Sequence, residues 1–496
     1  MEGDVIALSP LDNVMAHCYA KYLLPFAFNP NRGIKEVYEV LRESLSMTVA
    51  EMPIYSGKVH YRPPERPEWK PGQLEVRIPK RDWLDNTYPL ILHDLSDEME
   101  FDDLKDTGFP EEDLDGMLLL PEAFKLDLDR GLDVAVVQAN FVRNGCLLGL
   151  GIWHSVSDAY GAFNFISLWA SNAKKLQTES ELERPVSIRA STIAKNNDRD
   201  VLTRIWRNEG GERLQNMQST SANVQRLWRY LGLHHPSTVT RESAPDAKLS
   251  KPAVEQQRMR TCMFYVSARS FHQLNVDNGL SEADKKAPSI TTNDVLNGLI
   301  WRCVMKARFP GDNTGERDMD SNYQIAVDGR MHLSASLESS YLGNVIFFAT
   351  STLPLSVVTA PSATLTSLAL ALRTSLDSYT VSDMRQSFGI AQDIADYSTL
   401  TYTFAGLSGA TMNVSTTLQA PIFTLDFGPA FGVGGTGNLE CIRVFKDELD
   451  QAFRRVLVMP MMKDGGFEIL VALFEDEMNR LLADEEWAKY VQFTSY

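Results

Sequence analysis

The chain has 496 residues, too many for one ordinary core, and its 44% hydrophobic and 23% charged residues fit a globular protein of two or three domains. A formal net charge of −17 argues against a surface built for nucleic acid or anionic membranes, which needs clustered Lys and Arg. No apolar run reaches the length of a membrane span, and the acidic start Met1-Glu2-Gly3-Asp4 lacks the basic-then-apolar pattern of a secretory leader, so a cytoplasmic protein is expected.

The first part of the chain, to about Leu176, alternates strand-like and helical runs. Residues 11–26 and 34–52 carry the apolar spacing of amphipathic helices. Val134–Ala139 and Cys146–Trp153 are apolar strands, with Arg143-Asn144-Gly145 as a hairpin turn between them. From Glu179 to about Arg258 the composition turns to charge, Asn, Gln and Ser, which predicts a connection with one or two helices of its own. Strands and helices resume at Thr261. Thr291-Thr292-Asn293-Asp294 has capping chemistry, and Val295, Leu296, Leu299, Ile300, Cys303 and Val304 follow as an apolar stripe ending before Pro310. The C-terminus pairs a strand, Phe467–Phe474, with a helix carrying Met478, Leu481, Leu482 and Trp487. The expected division is an N-terminal domain over residues 1–200, a crossover over 201–260 and a C-terminal domain over 261–496, two mixed α/β units of similar size.

The five cysteines, Cys18, Cys146, Cys262, Cys303 and Cys441, are scattered and form no Cys-x-x-Cys pair, so free buried thiols are expected and neither a disulfide framework nor a metal site. His234-His235 has no spaced carboxylate or cysteine to complete a metal site and is expected at the surface.

Two stretches carry candidate chemistry. In Gly151-Ile152-Trp153-His154-Ser155-Val156-Ser157-Asp158-Ala159-Tyr160-Gly161, an apolar strand delivers His154 to its end, a polar turn follows, and a helix begins with Phe163, Ile166 and Ala170 on one face. A neutral imidazole accepts a proton near neutral pH, and a strand end can project it into a cleft. By itself, a His with an Asp four residues on is more often a structural pair. The second stretch, Thr424-Leu425-Asp426-Phe427-Gly428-Pro429-Ala430-Phe431-Gly432, reads as a short strand entering a turn dense in Gly and Pro. It lacks the Lys-Ser/Thr ending of a phosphate loop, and by itself it is a structural corner.

In this order and separation the two stretches resemble the signatures of the BAHD acyltransferases, H-x-x-x-D-G near one third of the chain and D-F-G-W-G toward its end. His154, Asp158 and Asp426-Phe427-Gly428 match. Val137-Gln138-Ala139-Asn140-Phe141 with Gly145, Thr291–Leu296 leading to Ile300-Trp301-Arg302, and Val327-Asp328-Gly329-Arg330 followed by Tyr341-Leu342-Gly343-Asn344 are similar to further family stretches. The likeness is strongest to the fungal branch with the trichothecene acetyltransferases. Trp153 stands where a first His is common, Ala159 where Gly follows the Asp, Pro429-Ala430-Phe431 where Trp-Gly is common, and Thr417 where many members carry Trp. These departures bear on pocket shape rather than on mechanism.

The resemblance implies an α/β fold of the chloramphenicol acetyltransferase-like type, two mixed-sheet domains with a solvent channel between them. It implies an acyl-CoA-dependent acyltransferase, acetyl-CoA being the expected cosubstrate, with no resident cofactor and no metal. His154 would be the general base at the channel centre. Asp158, paired with Arg330, would lock the turn, and Asp426 and Gly428 would fix the domain interface. Thr416, Thr417 or a backbone amide near Gly161 would be the candidate oxyanion donors, in the substrate or CoA pocket. The expected partners are a small-molecule acceptor and acyl-CoA, the expected state a monomer. Three alternatives stay open: N-acyl transfer, a condensation-type enzyme using a carrier-protein thioester, and a non-catalytic binding protein on the same fold.

Overall fold

The computed structural model describes residues 3–29, 32–80, 88–178, 198–211, 213–214, 217, 219–238, 258–279, 290–311, 319–335, 337, 341–404, 407, 409–445 and 454–495. Two parts of the polar stretch from Glu179 to about Arg258 lie outside the described residues: 179–197, in the expected N-terminal domain, and 239–257, in the expected crossover.

Among the described residues three sheets organise the chain. A five-stranded sheet has the order Arg443–Val444, Tyr19–Ala27, Gly145–Trp153, Ala135–Val142, Ile91–Asp94, antiparallel except for the last pair. Its centre is the expected hairpin. Asn144, at φ 67°, makes the turn, and Val142 pairs with Gly145. Both strands of the hairpin are buried throughout, which is why they read as continuous apolar runs. Helices Ile34–Glu51 and Ala159–Thr178 share one core with this sheet, and the Trp169 indole donates to Ser44 Oγ at 2.9 Å. A small four-stranded antiparallel sheet, Asp4–Ala7, Leu74–Ile78, Lys58–Tyr61 and Leu132–Asp133, contributes to the same core.

The second half is built on a seven-stranded mixed sheet in the order Ile346–Pro354, Asp320–Asp328, Thr411–Thr416, Arg455–Val458, Phe467–Phe474, Met259–Val266, Gln492–Ser495. Helix Thr292–Arg308 begins at the expected cap, with Thr291 N–H donating to Asp294 at 2.7 Å and Asp294 N–H to Thr291 Oγ1 at 3.3 Å. Its Val295, Leu299 and Trp301 lie in the core of this sheet. The described part of the connection between the halves is packed. Helices Val201–Asn208 and Ala222–Tyr230 bring Leu202, Trp206, Leu227 and Trp228 into a third core with Leu11 and Met15 from the start of the chain and Phe347 and Phe388 from the second half. The chain also returns: Phe423, Phe427, Phe431 and Ile442 pack in the first core, and Arg443–Val444 forms the edge of the five-stranded sheet.

Four local expectations need correction. Residues 11–26 are not a helix: a single turn, Pro10–Asn13, is followed by the strand Tyr19–Ala27. Pro25 would break a helix interior, whereas pairing with Gly145–Trp153 satisfies its neighbours. The stretch before Asp426 is a 3₁₀ turn, Ile422–Thr424, rather than a strand. The C-terminal helix is two, Glu475–Leu482 and Glu485–Ala488, because Asp484 caps the second by accepting from Glu486 and Trp487 N–H. His235 is only 2% exposed, its ring within 2.7 Å of Ser237 Oγ and 3.2 Å of the Met217 carbonyl oxygen, so it is a satisfied interior histidine. No disulfide joins any of the five cysteines; four are buried and Cys18 is half-buried. Among the described residues no helix is long and apolar enough to cross a membrane.

Candidate active site

The strand Gly145–Trp153 ends where its pairing with Tyr19–Ala27 runs out, and His154 is the next residue. Its N–H donates to the Cys18 carbonyl at 2.8 Å, one last bond that holds the main chain as the strand stops. Val156 and Ser157 N–H then turn back onto the Trp153 carbonyl at 2.9 and 3.3 Å. The Asp158 carboxylate closes the turn by accepting from Gly161 N–H at 3.0 Å, and helix Ala159–Thr178 leads away. Only glycine fits at 161, since a Cβ there would lie 2.2 Å from Ser157 Oγ and 2.6 Å from the Leu342 carbonyl oxygen.

Asp158 and Arg330, 2% and 4% exposed, form a two-pronged pair: Nη1 donates to Oδ2 at 2.9 Å and Nη2 to Oδ1 at 3.0 Å. Arg330 Nη2 also donates to the Gly343 carbonyl at 2.8 Å, and Val345 N–H donates to Asp158 Oδ2 at 3.2 Å. The turn after His154, from the first half, is thereby fastened to loop 341–345 of the second. Both charges are paired, as a buried ion pair requires, although Arg330 Nε is buried without a partner.

His154 lies on the wall of a cavity of about 220 Å³ between the halves. Tyr19, Tyr22, Ala159 and Phe163 face it from the first half; Ala326, Phe348, Asn413, Ser415, Arg455 and Leu457 face it from the second. Tyr402 and Phe404, stacked at 5.1 Å, add an aromatic side. Burial lowers the His154 pKa below 6.5; Asp158 and the residue's own carbonyl act in the opposite direction without cancelling it. Nδ1 is buried with no hydrogen-bond partner in another residue. A neutral ring at physiological pH follows, with Nε2 as its available basic nitrogen. Burial also pushes the Tyr22 phenol up to about 12, so this wall residue stays protonated.

The other sequence-derived residues are distributed unevenly. Thr417 lines the cavity, but its hydroxyl donates to the Val458 carbonyl at 3.1 Å. Thr416 is not on the wall, and its Oγ1 is buried without a partner. The Gly161 amide is committed to Asp158. Asp426 and Gly428 are absent from the wall altogether. Asp426 Oδ1 accepts from Gly428 N–H at 2.8 Å, and its Oδ2 lies 2.7 Å from Lys174 Nζ. Desolvation works against the Asp426 carboxylate, yet Lys174 and the Gly428 amide bring its pKa below the usual range. Gly428 sits at φ 90°, where a Cβ would be 2.4 Å from Gln177 Nε2. Gln177 itself bridges the Phe427 carbonyl at 2.6 Å and Ala430 N–H at 2.7 Å. The loop is therefore pinned to helix Ala159–Thr178, and Phe427 sits edge-on to Phe26 at 4.8 Å. Sequence reasoning missed Tyr22, Asn413, Ser415 and Arg455. Alternation along Tyr19–Ala27 and Arg455–Val458 was the one available signal, and it does not say which strand faces a cavity.

Among the described residues the one carboxylate–thiol cluster is Cys303, Asp484 and Glu486, where Lys306 Nζ pairs with Asp484 at 2.6 Å.

Comparison with known proteins gives the same organisation. The Transferase family model matches residues 96–487, and the model of the trichothecene 3-O-acetyltransferase-like N-terminal domain matches residues 18–173. The chain is 26% identical to eremophilane O-acetyltransferase ORF8 of Penicillium roqueforti over 98% of each chain. It is also 26% identical to eremophilane O-acetyltransferase prx11 of Penicillium rubens over 97% of each. Among solved structures, F. graminearum TRI101 with coenzyme A and deoxynivalenol superposes with a TM-score of 0.77 at 19% identity, covering 99% of this chain and 100% of that one. F. sporotrichioides TRI101 with coenzyme A and T-2 gives 0.75 at 20%, with the same coverage. With the model match spanning most of the sequence and the two-half fold shared, this chain belongs to the Transferase family, as a member of the fungal branch of the BAHD acyltransferases, enzymes that take their acyl group from acyl-CoA.

Proposed function

We propose that this protein transfers an acetyl group from acetyl-CoA to a hydroxyl of a small-molecule secondary metabolite, with His154 as general base and no acyl-enzyme. The observation that carries the reading is the His154 imidazole on the wall of a cavity shared by both halves of the chain, where burial disfavours its charged form. The acceptor O–H gives its proton to Nε2 as its oxygen attacks the thioester carbon. The tetrahedral intermediate collapses by breaking the C–S bond, and the imidazolium returns the proton to the CoA thiolate. Asp158 holds the turn and touches neither reactant, since both its oxygens are engaged by Arg330 and by backbone amides. The largely apolar and aromatic wall suits an acceptor of low polarity, and the two Penicillium relatives are named as acetyltransferases of eremophilanes. In this reading the enzyme works as a cytoplasmic monomer.

The test incubates purified protein with acetyl-CoA and a panel of hydroxylated sesquiterpenoids, following thiol release and the product mass. Release with a gain of one acetyl group, abolished in His154→Ala, is expected. Acyl transfer only from an acylated carrier protein, or full turnover by His154→Ala, would overturn the proposal.

A further inference from the structure

One connection to His154 comes from neither signature. Its main-chain carbonyl accepts from Asn344 Nδ2 at 2.9 Å. The same Nδ2 donates to Asp12 Oδ1 at 2.9 Å, and Asn344 N–H donates to that oxygen at 2.8 Å. Asp12 is the third residue of a capping box at the short turn Pro10–Asn13: its Oδ2 accepts from Ser9 N–H at 2.9 Å, and its own N–H donates to Ser9 Oγ at 3.1 Å. Arg199 Nη1 lies 3.4 Å from Asp12 Oδ2. Asp12 and Asn344 are both 0% exposed. Three distant parts of the chain thus meet behind the imidazole: the N-terminal turn, the start of the crossover and loop 341–345. Gly343 admits the arrangement, because a Cβ there would lie 1.9 Å from Arg199 Nη1.

A buried carboxylate and amide held this closely carry a large desolvation cost, which a purely packing role does not need. Their joint product is one donor placed on one acceptor, the carbonyl of the residue that bears the ring. Cys18 fixes the amide side of His154 and Asn344 fixes its carbonyl side, so both flanking peptide planes are set by neighbours.

We propose that Asp12 and Asn344 are positioning residues that hold the His154 backbone, and through it the imidazole, in the pose from which Nε2 meets the acceptor. The inference rests on the reading of His154 as the base. Asp12 orients the Asn344 amide so that it donates rather than accepts; removing Asn344 takes the donor from the carbonyl, and removing Asp12 leaves that donor unoriented.

The decisive variant is the exchange Asp12→Asn with Asn344→Asp. It can re-form the contact between the two side chains, with the amide now on residue 12, but a carboxylate at 344 has no hydrogen to give His154. The single variant Asn344→Ala, measured per folded molecule, accompanies it. With acetyl-CoA and the sesquiterpenoid of the panel that turns over fastest, kcat in both should fall by about tenfold to a hundredfold, with KM for acetyl-CoA within about twofold. The exchange should melt closer to wild type than Asn344→Ala does. In a His154→Ala background, Asn344→Ala should change the residual rate no further. Histidine-selective ¹⁵N NMR supplies a readout without turnover: one sharp set of His154 ring signals in the wild type, split or broadened signals in both variants. If stability and kcat return together in the exchange, or Asn344→Ala keeps wild-type kcat and ring signals while His154→Ala is inactive, the positioning role is overturned and the base reading stands. If His154→Ala itself turns over normally, the base reading is what fails.

Discussion

The two signature regions of this chain are both built on turns tied down by hydrogen bonds, yet they sit differently with respect to the cavity. The turn after His154 stands between the halves and presents one ring to a shared cavity; its carboxylate is turned back into an ion pair with Arg330. The Asp426-Phe427-Gly428 loop, far along the sequence, is pinned by Lys174 and Gln177 to the helix that begins right after that turn, and none of its three residues reaches the cavity. On the proposed reading, similar motif strength in sequence separates into chemistry at one place and assembly at the other. What distinguishes them is how their polar atoms are used: His154 keeps Nε2 available, whereas the polar groups of the loop are committed to protein partners.

This contrast predicts a graded series of effects. His154→Ala should lower kcat by about 10²–10⁴-fold, with a melting temperature close to wild type. Arg330→Ala leaves the Asp158 carboxylate buried and unpaired, so it should lose about 3–5 kcal/mol of stability in denaturant unfolding, and activity with it. A stable Arg330→Ala protein would mean that Asp158 is better hydrated than its 2% exposure suggests. Phe427→Ala should cost about 3–5 kcal/mol, while kcat per folded molecule stays near wild type. A strong loss of kcat at full stability would erase the contrast between the regions. Gly428→Ala should cost about 1–3 kcal/mol, since the backbone there is in a left-handed conformation and Gln177 would have to move. Asp426→Asn should change stability by no more than about 1 kcal/mol, because the ion pair with Lys174 is solvent-screened. Its carboxyl is held below the ordinary pKa, so that contribution is present above the unfolded value and is lost as pH falls toward the folded one.

Much of this was legible in the sequence where the signal was local. The hairpin Ala135–Trp153 announced itself as two apolar runs around Asn144, and the cap at Thr291 as a Thr placed three residues before Asp294. The role expected for His154 came from the order of several stretches, because one His beside one Asp says little. The strand Tyr19–Ala27 was obscured because a short apolar run with aromatic residues fits either period, and only its partner strand decides. Asp12 and Arg455 were silent for another reason, and Asn344 stood only inside a family-like stretch with no role assigned to it. Their meaning lies in contacts across hundreds of residues, 332 between Asp12 and Asn344, and no spacing rule reports such distances. The loop at Asp426 was visible as a corner, but which helix it fastens to was not.

The most direct test of the central claim is the pH dependence of kcat/KM for the wild-type enzyme, from about pH 5 to pH 9, with acetyl-CoA and a responding acceptor. Burial of His154 disfavours its cation, so the neutral base should persist below 6.5 and the acid limb should bend below that value, not above it. An acid limb bending well above 6.5, or a profile flat through that region with full activity, would contradict the assignment of a desolvated, neutral His154 as the proton acceptor.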